Sequence, residues 1–138
     1  MKLKYMIWIG FSLLSFNAYA LSGKMTVQIL NNTDTTCHLI QPQLLHGNNM
    51  PVIDDTLTPQ ESTTFTVSQD WFYGPDILVG YTCGENKIVN FEVQQNFTSF
   101  YSQQPTMTIK QIMGLSLASQ VFEHLSGIIN ITINKAAA

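Results

Sequence analysis

At 138 residues, 45% hydrophobic and 11% charged, the chain has the size and composition of a single globular domain. Its six cationic residues are all lysine, they face nine acids, and the formal net charge is −3. A sequence without arginine or a basic run lacks the surface that displaces counterions from phosphate, so nucleic acid is excluded as an expected partner and anionic lipid is disfavoured.

The chain begins MKLKYMIWIGFSLLSFNAYA. Lys2 and Lys4 form a positive leader, Met6 to Phe16 are an apolar run, and Ala18-Tyr19-Ala20 ends it with small residues two apart. That order predicts a signal peptide over 1–20 and a single mature domain over 21–138. The apolar run is well short of the roughly 20 residues needed to span a bilayer, and no longer run follows, so the mature chain is expected to have no transmembrane segment. A short lysine-led signal reads as bacterial, with a periplasmic or secreted destination. Four lysines then stand against nine acids, a net charge of −5.

Alternation of period two follows along the mature chain. Met25, Val27 and Ile29 share a face in 24–30, ahead of the Asn31-Asn32-Thr33-Asp34 turn. A strand is predicted at 36–41, another at 63–67 with Phe65 and Val67 inward, and turn residues separate them at 46–49 and 58–62. After Gly74-Pro75, residues Ile77, Val79, Tyr81 and Cys83 align. Gly84-Glu85-Asn86 then forms a three-residue hairpin loop of residues that tolerate positive φ. In 87–93, Val89, Phe91 and Val93 align, with Ile88 breaking the pattern, and 106–112 and 128–134 read as further strands. One segment has helical spacing. Leu117, Val121 and Leu125 fall at i, i+4 and i+8 in 116–126, with Ser116 as N-cap and Gly127 beyond the C-terminus. The predicted fold is therefore all-β: an antiparallel β-sandwich of about seven to eight strands, with one short helix before the last strand.

Cys37 and Cys83 are the only cysteines. In an oxidising compartment they allow one intramolecular disulfide. It would close a loop of about 47 residues and contribute roughly 4 kcal/mol in the chain-entropy model. No Cys-x-x-Cys occurs, and His38, His46 and His124 have no acidic or cysteine neighbour at metal-ligand spacing. No metal and no cofactor are expected. Nucleophile-elbow, zinc-protease, phosphate-loop and dinucleotide signatures are all missing, and adjacent Asp54 and Asp55 point apart on an extended segment, so no catalytic residue is expected. Three N-glycosylation sequons, at Asn31, Asn96 and Asn130, matter only in a host that glycosylates.

What remains is aromatic. Trp71, Phe72 and Tyr73 precede the Gly74-Pro75 turn, and Phe97, Phe100 and Tyr101 sit among Asn, Ser, Thr and Gln. Trp71, Tyr73, Phe97, Phe100 and Tyr101 are the candidate ligand-binding residues. Aromatic faces beside amides and hydroxyls suit a sugar, a quaternary ammonium head group or a partner protein.

Val27-x-Ile29-x-Asn31-Asn32-Thr33, Gly74-Pro75 before Val79-x-Tyr81, and Phe91-x-Val93 leading to Tyr101-Ser102 occur in that order. Together they resemble the actinoporin-like lipid-binding sandwich over about residues 27–109. The resemblance implies a β-sandwich that binds a lipid head group, with Tyr101 lining a phosphocholine pocket. Gln103-Gln104-Pro105 stands where that family has tryptophans, and no Arg-Gly-Asp occurs. Head-group binding rather than pore formation is the corresponding expectation. YTCGENKIVNF is similar to the Tyr-x-Cys strand of membrane-associated lysozyme inhibitors, and the cysteine spacing is similar to that of chaperone–usher pilins.

The expected function is thus an exported, non-enzymatic binding protein that recognises a lipid head group, glycan or partner protein through aromatic loops. A small secreted or periplasmic enzyme inhibitor is the alternative, and a pilin-like structural subunit the third. Intact-mass analysis of the exported protein should give Leu21 as its first residue and a mass about 2 Da below that of the reduced chain. Two titratable thiols under denaturing, non-reducing conditions would overturn the disulfide.

Overall fold

Residues 23–70, 73–97, 102–121 and 127–137 are described by the computed structural model; the expected signal peptide lies outside them. The alternating segments become β1 (Lys24–Asn32), β2 (Cys37–His46), β4 (Ser62–Ser68), β5 (Asp76–Thr82), β6 (Ile88–Phe97), β7 (Ser102–Met113) and β9 (Ile128–Lys135). A two-residue β3 (Thr56–Leu57) and β8 (Leu115–Val121) bring the total to nine among the described residues. They form a four-stranded sheet in the order β4-β1-β9-β8 and a five-stranded sheet in the order β3-β2-β5-β6-β7. Pairing is antiparallel throughout except between β1 and β9, which run parallel. That exception departs from the purely antiparallel expectation.

Period-two patterning decides which face of each sheet is dry. Met25, Val27 and Ile29 of β1, Phe65 and Val67 of β4, and Ile129, Ile131 and Ile133 of β9 are buried. They join one cluster with Ile77, Val79 and Tyr81 of β5 and Val89, Phe91 and Val93 of β6. Two sheets enclosing one apolar layer give a sandwich-like architecture. Tyr81 stands opposite Val89 and Val79 opposite Phe91, so the two large rings interleave with valines along the hairpin. Tyr81 keeps its hydroxyl satisfied by donating to the carbonyl of Asp54 at 3.1 Å.

The helix expected over 116–126 is not formed: Leu115–Val121 is β8, and residues 122–126 lie outside the described set. A spacing of four satisfies both periods, since Leu117 and Val121 also share one side of a strand with the buried Leu115. Tertiary demand settles the choice. β9 is bonded to β1 on one edge, and its other edge, beside a core of three isoleucines, would leave peptide groups unpaired without β8. Ser116, expected as an N-cap, instead donates its hydroxyl to the carbonyl of Lys135 at 3.2 Å. Gly127 has the positive φ expected of it, +65°, but its carbonyl accepts from the N–H of Thr26 at the entry to β9. Between β7 and β8 a single residue, Gly114 at φ +69°, carries the chain from one sheet to the other.

Cys37 and Cys83 are bonded to each other and fully buried. His38 pairs with Thr82, so the cysteines lie across from one another at the end of the β2–β5 ladder, within one sheet. The hairpin loop is as expected, with Gly84 at φ +116° and Asn86 at φ +56°. Phe91 touches both sheets' apolar layer, and Phe91→Ala should cost about 3–5 kcal/mol in urea denaturation. Glu85→Ala, exposed at the loop tip, should stay within about 0.5 kcal/mol. Equal losses would contradict this register.

Candidate functional site

The antiparallel ladders sort the loops into two poles. At one lie the disulfide, the 84–86 loop and the 33–36 turn; at the other lie the ends of β2, β4 and β6 and the start of β5. Five acids, Asp34, Asp54, Asp55, Glu61 and Glu85, belong to the disulfide pole, where Lys135 pairs with Asp34 at 2.7 Å. The opposite pole collects Tyr73 and the segment 94–97.

Of those candidates, Tyr73 is placed in full, and it is 57% exposed. Phe97 ends β6 with its backbone in register with Ser102. Trp71, Phe100 and Tyr101 lie outside the described residues. Tyr73 is held from two sides. Its N–H donates to Oδ1 of Asp70 at 2.8 Å, and its ring stacks on His46 with centroids 4.3 Å apart and planes 23° from parallel. The second oxygen of Asp70 lies 3.9 Å from Nδ1 of His46, so one carboxylate steadies both rings.

Beside this stack is a depression of about 350 Å³, walled by Tyr73, Pro75, Asp76, Gln94 and Asn96. That is the lower end of the size range for small-ligand sites. Pro75 accepts from the N–H of Gln95 at 2.9 Å, which ties the two backbone walls together. Asp76 is the electrostatic oddity. Its Oδ1 is buried without a hydrogen-bond partner, and its carboxyl is pushed up to about 6, first by burial and then by repulsion from Glu92. Opposing pulls from His46 and Lys110 offset only part of this. Glu92 itself pairs with Lys110 at 3.6 Å on the outer face of the sheet. A second depression, about 380 Å³, lies on that face over Gly80 among Gln43, Leu78, Asn90 and Gln111; it has no aromatic wall.

The site therefore offers an aromatic stack, a partly desolvated carboxyl and neutral amides, a set that favours an organic cation over an anion. Sequence reasoning named Tyr73 but treated His46 as a turn residue and did not single out Asp70 or Asp76. His46 and Tyr73 are far apart in the chain and meet only because β2 and β5 are neighbours. The His46–Asp76 pairing that closes that ladder is likewise a product of register.

No family model and no curated protein sequence matches the chain. Among solved structures it is similar to IP-1A from Alcaligenes faecalis, with a TM-score of 0.56 and 16% identity over 86% of this chain and 94% of that one. It is similar to the lipid binding protein Nakanori, with a TM-score of 0.66 and 10% identity over 81% of this chain and 71% of that one. RahU protein, solved in complex with a TRIS molecule, gives 0.64 and 9% identity over 87% of this chain and 98% of that one. At such identities the likeness is one of fold, and that fold is shared with a lipid-binding protein.

Proposed function

We propose that this is an exported, non-enzymatic binding protein whose aromatic pole recognises a lipid head group bearing a quaternary ammonium. The observation that carries the reading is the depression beside the His46–Tyr73 stack, with the Asp76 carboxyl in its wall, on a fold shared with Nakanori. A choline-like cation gains from an aromatic face and a nearby carboxylate without needing the protein to be basic. The charge distribution supports the same orientation, because five of the nine acids sit at the far pole, away from a docked bilayer. Export is supported by the leader-like first twenty residues and by the buried Cys37–Cys83 bond. β9 is paired on both edges by strands of its own chain, which weighs against a pilin-like subunit awaiting a donated strand.

Liposome co-sedimentation tests the proposal. The protein should bind phosphatidylcholine vesicles, gain nothing from added phosphatidylglycerol, and lose binding at least tenfold in Tyr73→Ala with its melting temperature nearly unchanged. Binding to a glycan array but to no vesicle would transfer the site to a sugar ligand, and loss of fold in Tyr73→Ala would assign the ring to packing.

A second outcome follows from Asp76. Because folding raises its pKa to about 6, its contribution to stability is full below the ordinary carboxylate value of about 4 and is lost as pH rises through about 6. The melting-temperature difference between Asp76→Asn and the parent should therefore grow in the variant's favour from pH 4 to 7. Parallel curves would refute it. Above pH 6 the ionised carboxylate should also bind the cationic vesicle surface groups more tightly than at pH 5.

A further inference from the structure

The two long sides of the sandwich are finished differently. On one side the chain between β2 and β4 closes the edge. Leu39 donates to the carbonyl of Asp55 at 2.7 Å, Asp54 donates to Thr63 Oγ1 at 3.3 Å, and Ile53 and Leu57 are buried beneath. On the other side β7 ends the five-stranded sheet and β8 ends the four-stranded sheet, and no described strand pairs with the outer edge of either.

β7 is blunted as free edges usually are. It contains Pro105, which has no N–H to offer, and Lys110, which sits at the register shift between Asn90 and Phe91. β8 has none of these devices. Its seven residues, Leu-Ser-Leu-Ala-Ser-Gln-Val, carry no charge and no proline, and they pair with β9 without a register shift. The outer face that β8 shares with β9 and β1 continues in the same vein: Ala118 aligns with Thr132 and Leu30, and Gln120 with Asn130 and Gln28.

An independent feature lies on the same side. Ile109 and Ile112 stand in register with the buried Phe91 and Val89, so they turn toward the inner layer, yet they remain 43% and 39% exposed. Met113 is 47% exposed beside them, and Leu117 and Val121 are only partly covered. The mouth between the sheets thus presents a strip of apolar surface that the described residues leave exposed.

We propose that β8 is a homotypic pairing edge: a second copy of the chain lays its own β8 antiparallel alongside, joining two four-stranded sheets about a two-fold axis and covering the Ile109–Ile112 strip. Charge selects the occupant. Two copies that each carry a net negative charge repel wherever acids face acids, and β7 and β8 together contain no acid. An uncharged, regular edge offers backbone groups that its own copy complements without further design.

Sedimentation equilibrium of the purified protein from about 1 to about 300 µM tests this. The parent should pass from one chain mass to two as concentration rises. Ala118→Lys with Gln120→Lys, both at exposed positions, should stay at one chain mass throughout, with unchanged far-ultraviolet circular dichroism. If that pair fails to fold, Gln120→Glu alone should weaken association at least tenfold. A parent that remains monomeric overturns the proposal. So does a dimer that survives the β8 substitutions but is split by Thr108→Lys on β7.

Discussion

Everything in the five-stranded sheet is referred to one residue, Cys83, which is held three times over. Its sulfur is bonded to Cys37 at the start of β2, its carbonyl accepts from Thr35 Oγ1 at 2.7 Å, and its N–H donates to the carbonyl of Lys87 at 2.9 Å. A covalent bond, a side-chain bond and a hairpin bond therefore meet where β2, β5 and β6 begin or end. The neighbouring turn is locked to the same point. Asn31, fully buried, donates through Nδ2 to the carbonyls of Thr35 and Leu57 at 2.8 Å each, while Thr33 donates to its Oδ1 through both N–H and hydroxyl. A buried amide with every group satisfied specifies one arrangement, because any slip leaves polar atoms stranded. With register set at this pole, the opposite pole inherits the positions of His46 and Asp76, where the ligand site is proposed.

Much of this was legible in the residues, and the failures have identifiable causes. Met25-x-Val27-x-Ile29 and Ile77-x-Val79-x-Tyr81-x-Cys83 read as strands because every second residue belongs to one inward face, and those residues are buried as expected. Leu117 and Val121 misled because four is a multiple of two as well as close to a helical turn; Leu115, one step earlier, was the discriminating residue. β3 is too short for any period to register, and its existence rests on pairing with Cys37 and His38. Parallel pairing of β1 with β9 joins segments from opposite ends of the domain, and no local pattern encodes it. The cysteine pair was legible by elimination, but its position within one sheet was not.

The candidate site was legible only in its aromatic half. Aromatics in polar loops stand out in a sequence, whereas a carboxyl becomes unusual only through its surroundings. Asp76 is an ordinary turn-following aspartate until β6 brings Glu92 alongside and the fold closes over one oxygen. The division of the molecule into an acidic pole and an aromatic pole is similarly a property of strand direction, since the acids are dispersed along the chain and gather only when the strands are folded back on each other.

The buried Asn31 has a biosynthetic corollary. It is the acceptor of an Asn-x-Thr sequon, and the nitrogen that would carry the sugar is the same Nδ2 that bridges Thr35 and Leu57. Oligosaccharide transfer in a eukaryotic secretory pathway acts on the emerging, unfolded chain, before that nitrogen is enclosed. A glycan installed there would remove both bonds and could not be housed in a site with no exposure. Production through such a pathway would thus divide the protein into a folded, unmodified fraction and a modified fraction retained by quality control, whereas a host without this machinery would meet no such branch point.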